Sequence, residues 1–306
     1  MFKVAHYPEF TLPLPDGHRF PMAKYELLPK KLIADGIAKP SQFFTPRMAT
    51  VDEVLTTHTA EYWHALDSLT LSAKDCRKIG LPMSKELIDR ERLVVGATIQ
   101  CAKYALTDGI ALSTSGGTHH AFADSGEGFC ILNDVCVASN VLLKEGLAKR
   151  ILILDLDVHQ GNGNASIMEE NASVFVMSMH GEKNYPYHKP KSDLDIGLAD
   201  GVGDDEYLSL LKYHLPKVLD DLKPDFVFYQ AGVDVLADDR LGRINLTMNG
   251  LYERERYVVE TMYHRQIPMA VTMGGGYAPD IDVIVQGHSV VFGVAGEVFI
   301  RSTAEC

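Results

Sequence analysis

Five short runs of consecutive apolar, largely β-branched residues constrain this chain more than any other feature. They are Ile110 to Leu112, Ile151 to Leu154, Val174 to Met177, Phe226 to Tyr229 and Met269 to Met273, and each stops abruptly at polar or glycine residues. A strand apolar on both faces belongs in a sheet covered on both sides. Between the runs lie longer segments with apolar residues at three and four spacing: Ser84 to Leu106, Asn133 to Lys144, Asp205 to Leu222 and Leu251 to Arg265. These read as helices, the first capped by Ser84. Strands alternating with helices predict an α/β fold built on a parallel sheet. The 306 residues contain no linker, charge block or internal repeat, so one domain over 1–306 is expected. The polar, aromatic, turn-rich stretch from Met179 to Asp204 reads as a long functional loop.

Composition narrows the partners. With 46% hydrophobic and 23% charged residues, the chain has enough apolar material for a large core. Its net charge of −12, with no basic cluster evident along the sequence, argues against direct nucleic-acid binding. No run approaches the ~20 apolar residues of a membrane span, and Pro8, Pro13 and Pro15 interrupt the N-terminus before any signal-like apolar stretch. Five cysteines (Cys76, Cys101, Cys130, Cys136 and Cys306) without a CxxC pair fit reduced thiols and a cytoplasmic location.

In an open parallel sheet, chemistry gathers at the carboxyl ends of the strands. Four of the apolar runs lead into such chemistry: Ser115-Gly-Gly-Thr-His-His120, Asp155-Leu-Asp-Val-His-Gln-Gly-Asn-Gly163, Gln230-Ala-Gly-Val-Asp234 and Gly274-Gly-Gly-Tyr277. Asp157 and His159, two apart at a strand end, share a side of the chain, and Asp234 from another strand completes a three-ligand set. Two carboxylates and one imidazole with an open position suit a catalytic divalent ion such as zinc. His119 and His120 follow a glycine turn that can aim both rings into a cleft, with Asp155 the natural partner of one. Tyr277 after three glycines is either a surface turn residue or a donor to an oxyanion. The glycines there lack the spacing of a nucleotide loop. The other nine histidines form no comparable pattern.

Taken with Gly128-Phe-Cys-Ile-Leu-Asn-Asp134, these strings resemble the ordered signature of the zinc-dependent histone deacetylase family over nearly the whole chain. His159-Gln-Gly-Asn-Gly163, Arg19-Phe-Pro-Met22 with Lys24-Tyr25, Ile79-Gly-Leu-Pro82 and Asp239-Arg-Leu-Gly242 look like its class IV and bacterial relatives. The resemblance implies a single arginase-deacetylase domain, with a central, mainly parallel sheet of about eight strands flanked by helices. It implies hydrolysis of the acyl-lysine amide of a protein or peptide at one zinc ion held by Asp157, His159 and Asp234. His120 would be general base and then acid, His119 its electrostatic partner, and Tyr277 the oxyanion donor. Asp155 would back His119 and, with Ser178 and main-chain oxygens of Asp157, His159 and Met179, hold a structural potassium ion. Gly128, Phe129, Tyr185 and Gly275 would line the substrate tunnel. Where many members of the family place an aspartate behind the second histidine, this chain has Asn162, which removes a full negative partner from His120 and disfavours a binuclear ureohydrolase site.

The acyl group stays open at this point, acetyl or a longer fatty acyl, and so does the oligomeric state. The acidic composition would tolerate a cationic substrate, which keeps an acetylpolyamine amidohydrolase as an alternative. A non-catalytic metal-binding scaffold of the same fold is the other.

Overall fold

A computed structural model describes residues 2–301; Cys306 lies outside the described residues. Eight strands form one all-parallel sheet. They are β1 (Lys3–Ala5), β2 (Phe43–Phe44), β3 (Ile110–Ser113), β4 (Ile151–Asp155), β5 (Val174–Gly181), β6 (Leu194–Leu198), β7 (Phe226–Gln230) and β8 (Met269–Thr272), in the order β2-β1-β3-β8-β7-β4-β5-β6. Every residue of β3, β4, β7 and β8 is buried, so the middle of the sheet is covered on both faces.

The covering helices are α1 (Lys24–Ala34), α2 (Val51–Val54), α3 (Ala60–Asp67), α4 (Ala73–Ile79), α5 (Lys85–Asp108), α6 (Asp134–Lys144), α7 (Asn162–Met168), α8 (Asp204–Leu222), α9 (Met248–Arg265) and α10 (Ile281–Arg301). Helix α5 runs along β1, β3 and β8 and packs on α6, while α10 packs on α9 and α1. Ser84 caps α5 by accepting from the Leu87 amide at 3.2 Å, and Asn133 caps α6 through the Cys136 amide at 2.9 Å.

One expectation needs correction. The stretch from Met179 to Asp204 is not one loop: β5 continues to Gly181, and β6 pairs with it in parallel, Met177 opposite Leu194 and Gly181 opposite Leu198. Strand β6 lies at the sheet edge with alternating burial, and its Asp195 and Gly197 disguise it as a turn. Among the described residues, one helix, α10, is also long and apolar enough over Ile281–Phe299 to cross a membrane by length and composition. Its Ile284, Val285, Val291, Phe292, Val294 and Ala295 are buried core residues, which accounts for that composition within a packed domain.

Candidate active site

Strands β3, β8, β7 and β4 are consecutive neighbours, so the four polar turns that follow them meet in one crevice. His159 Nδ1 lies 3.1 Å from Asp157 Oδ1 and 3.1 Å from Asp234 Oδ2. These three ligand atoms fall within 4.8 Å of one another on buried residues. The other carboxylate oxygens are fixed by backbone: the Gly275 amide donates to Asp157 Oδ2 at 2.6 Å, and the Val158 amide to Asp234 Oδ1 at 2.9 Å. Gly275 must lack a side chain, because a Cβ there would stand 2.0 Å from Asp234 Oδ2. Burial and the adjacent Asp157 push Asp234 up to about 7, the response of crowded carboxylates short of positive charge. A donor set of two carboxylates and one imidazole converging on one point fits zinc or a similar divalent ion.

The histidine pair is held from behind. His119 Nδ1 is 2.8 Å from Asp155 Oδ2. Against its burial, Asp155 and Asp157 raise the pKa of His119, whereas burial and the repulsion of His119 and His159 hold His120 well below the usual imidazole range. The two adjacent rings thus sit in opposite electrostatic surroundings, His119 against carboxylates and His120 against imidazoles. The turn that carries them is clamped by buried Asp134, which accepts from the Gly117 amide at 3.1 Å, the Thr118 amide at 2.8 Å and the Thr118 hydroxyl at 2.6 Å. Gly117 has φ +83°, and a Cβ on it would meet the Gly274 nitrogen at 2.7 Å, so this turn and the one after β8 pack backbone on backbone.

Asn162 also acts on His120. Its Nδ2 donates to Glu127 Oε1 at 2.6 Å, which turns Oδ1 towards His120 Nδ1 at 2.7 Å. As an acceptor, Oδ1 selects the Nδ1–H tautomer and leaves Nε2 with its lone pair. The negative partner expected to be lost at Asn162 is therefore displaced by one link, onto Glu127, which also accepts from the Tyr185 hydroxyl. Tyr277 is placed by its backbone: its amide donates to Asp239 Oδ2 at 2.6 Å, and Asp239 Oδ1 accepts from the Leu241 and Gly242 amides. Burial, with Asp157 and Asp234 nearby, pushes the Tyr277 phenol well up, so it stays protonated and able to donate. Lys24 is buried behind this turn and donates to the Gly274 carbonyl at 3.1 Å. Burial lowers it to about 8 against the attraction of Asp234 and Asp157.

A pocket of about 440 Å³ opens from this centre to solvent, and His120, His159 and Tyr277 line it together with Gly128, Phe129 and Tyr185. Gly275 does not line that pocket; it borders a second cavity of about 30 Å³, which shares His120, Gly128, Phe129 and Tyr277 with the first. The Gly128 and Phe129 amides donate to the Lys78 and Ile79 carbonyls, tying this wall to the end of α4. Asp134, Glu127, Asp239 and Lys24 carry no role in the sequence reading. Asp134, Asp239 and Lys24 act on the site through backbone atoms and Glu127 through another side chain; the first three lie inside strings that carry the family resemblance, but nothing in those strings marks what they hold.

The family model for the histone deacetylase domain matches residues 18–289. The chain belongs to the histone deacetylase family. An uncharacterized protein of Picosynechococcus sp. is 45% identical over 298 residues, covering 97% of this chain and 99% of that protein. Histone deacetylase 2 of Arabidopsis thaliana is 28% identical over 269 residues, 85% of this chain and 70% of the plant protein. The solved structure of an HDAC homolog complexed with SAHA superposes with a TM-score of 0.83 at 25% identity, covering 97% of this chain and 84% of that one. Membership in the histone deacetylase family makes the chain a deacetylase-type hydrolase, and the parallel eight-stranded sheet is the fold expected of it.

Proposed function

We propose that this protein is a zinc-dependent amidohydrolase that removes an acetyl group from the side-chain amide of a lysine in a protein or peptide. The observation that carries the reading is the convergence of the Asp157, His159 and Asp234 donor atoms with His120 and Tyr277 at one end of the 440 Å³ pocket. That trio would hold a zinc ion, which would supply Lewis-acid polarisation of the amide carbonyl and acidify water. The chain's own groups move the protons. His120 Nε2, freed by the Asn162 hydrogen bond, accepts a proton from the attacking water and returns it to the leaving lysine amine. His119, held by Asp155, contributes the positive field beside it. The Tyr277 hydroxyl donates to the developing oxyanion. Gly128, Phe129 and Tyr185 shape the passage for the lysine stem.

The inner cavity favours acetyl over a long acyl group. It is by far the smaller of the two cavities, about 30 Å³ against 440 Å³, and the close-packed interior around it suits a short acyl group better than an octanoyl tail. The rate at which the acyl group is removed from one lysine peptide bearing acetyl, octanoyl or myristoyl, with zinc present, is expected to fall in that order. Faster removal of myristoyl would overturn the acetyl assignment. The family resemblance also implies a structural potassium ion at Asp155, Ser178 and the main-chain oxygens of Asp157, His159 and Met179. The register of β4 on β5, Asp155 opposite Ser178, supports that reading.

A further inference from the structure

The chain is strongly acidic, yet the wall of the 440 Å³ pocket is not. Arg19, Arg77, Lys78, Lys183, Arg240 and Arg243 all line it, every one exposed, and among the described residues no Asp or Glu does. These are six of the chain's 29 lysines and arginines. They come from four separate places: the segment before α1, the last turn of α4, the loop after β5 and the loop after β7. Only two of the six have an ionic partner among the described residues: Asp200 lies 3.1 Å from Arg243 and 3.9 Å from Lys183. Arg19, Arg77, Lys78 and Arg240 have none. The buried end of the same pocket holds His120 and His159, so the exposed cations surround its entrance.

We propose that this entrance selects acyl-lysine side chains set in acidic stretches of polypeptide, with the cations engaging Asp and Glu residues that flank the modified lysine. The proposal rests on the deacetylase reading for what enters the pocket and adds which surroundings that lysine has. Like charges gathered around a concave mouth repel a cationic ligand and concentrate an anionic one. An acetylated polyamine would bring its remaining ammonium groups into this ring, so the chain's overall acidity does not favour such a substrate at the place where it would bind. A short acidic segment also suits the ring better than a nucleic acid. A long polyanion leaving the mouth meets the negative charge of the rest of the surface, whereas a few carboxylates end within reach of the cations.

The test uses the full-length, zinc-loaded protein and three labelled peptides that differ only in residues flanking one acetyl-lysine: Glu, Gly or Lys. Binding is followed by fluorescence anisotropy and turnover by acetate release. The Glu-flanked peptide should bind at least about tenfold more tightly than the Lys-flanked one at about 50 mM salt, with the difference collapsing near about 500 mM. The variant Arg77→Glu/Arg240→Glu should reverse the order. Should that variant fail to fold, the salt dependence of the wild type still decides. Equal affinity for all three peptides, or preference for Lys, overturns the proposal even if acetate is released. A single-stranded oligonucleotide that binds more tightly than the Glu-flanked peptide and displaces it would overturn it in favour of a nucleic-acid surface. Tighter binding of the Glu-flanked peptide with no acetate released from any would uphold the charge selection and contradict the deacetylase reading.

Discussion

At the scale of single residues, the path from His120 through Asn162 to Glu127 determines how the base behaves. Glu127 orients the Asn162 amide, and that amide fixes the His120 tautomer. Glu127→Ala frees the amide to turn over and present its NH₂ to Nδ1, and kcat/KM should fall by roughly 10–100-fold, the usual cost of losing a group that orients a catalytic partner. Steady-state kinetics at constant zinc occupancy check this. The exchange Glu127→Gln/Asn162→Asp moves the carboxylate one link inward, directly onto His120, at constant net charge. A carboxylate stabilises the imidazolium and raises its pKa, and because His120 works as a base only when neutral, the acid limb of the kcat/KM profile should move to higher pH. Asn162→Asp alone should shift it less, since the new carboxylate would stand at hydrogen-bond distance from Glu127 and the two would share a proton. An unmoved profile in the double variant would contradict the relay. The convergence of Asp157, His159 and Asp234 beside the two histidines was legible in the sequence because their residue types and strand-end spacing point to one place. Glu127 was not, because its effect passes through an amide 35 residues away, and Asp134 and Asp239 were not, because they hold backbone rather than substrate.

At the scale of elements, the sheet presents its ligands in register because α9 ties two strand ends together. Buried Arg254 donates to the Leu156 carbonyl at 3.0 Å and to the Gly232 carbonyl at 2.8 Å, while pairing with buried Glu255. Leu156 precedes Asp157, and Gly232 lies two residues before Asp234, so one guanidinium fixes the backbone beside both carboxylates of the Asp157–His159–Asp234 cluster. Arg254→Met leaves Glu255 and two carbonyls without this partner in the core, and should cost about 3–5 kcal/mol of unfolding free energy by denaturant titration. A loss under about 1 kcal/mol would show that the strand ends hold themselves. The five central strands could be read from the sequence because continuous burial imposes continuous apolarity. Strands β1, β2 and β6 could not: three and two residues are too short to show a period, and β6 alternates around Asp195 and Gly197. Helix α10 went unread as a segment because apolar residues far outnumber polar ones along it, and three and four spacing does not stand out.

At the scale of the whole molecule, the buried carboxylates couple folding to metal. Asp157 and Asp234 are crowded in the core, and a bound cation relieves that crowding only in the folded state. Zinc at about 100 times its Kd should stabilise the protein by ~2.7 kcal/mol, which is ~5 °C in Tm for a domain of this size, and chelator should remove the gain. In Asp234→Asn the zinc-dependent part of the Tm should largely vanish. A Tm indifferent to zinc in the wild type would mean that these three residues do not form the metal site. The measurement that reaches the central claim most directly is acetate release from an acetyl-lysine peptide by the zinc-loaded protein, run beside a chelator-treated sample and the His159→Ala variant. The structure predicts stoichiometric acetate and deacetylated peptide from the loaded wild type, and loss of turnover in both of the others. Equal release by the chelated protein, or none from a wild type shown to hold one zinc per chain, would contradict it.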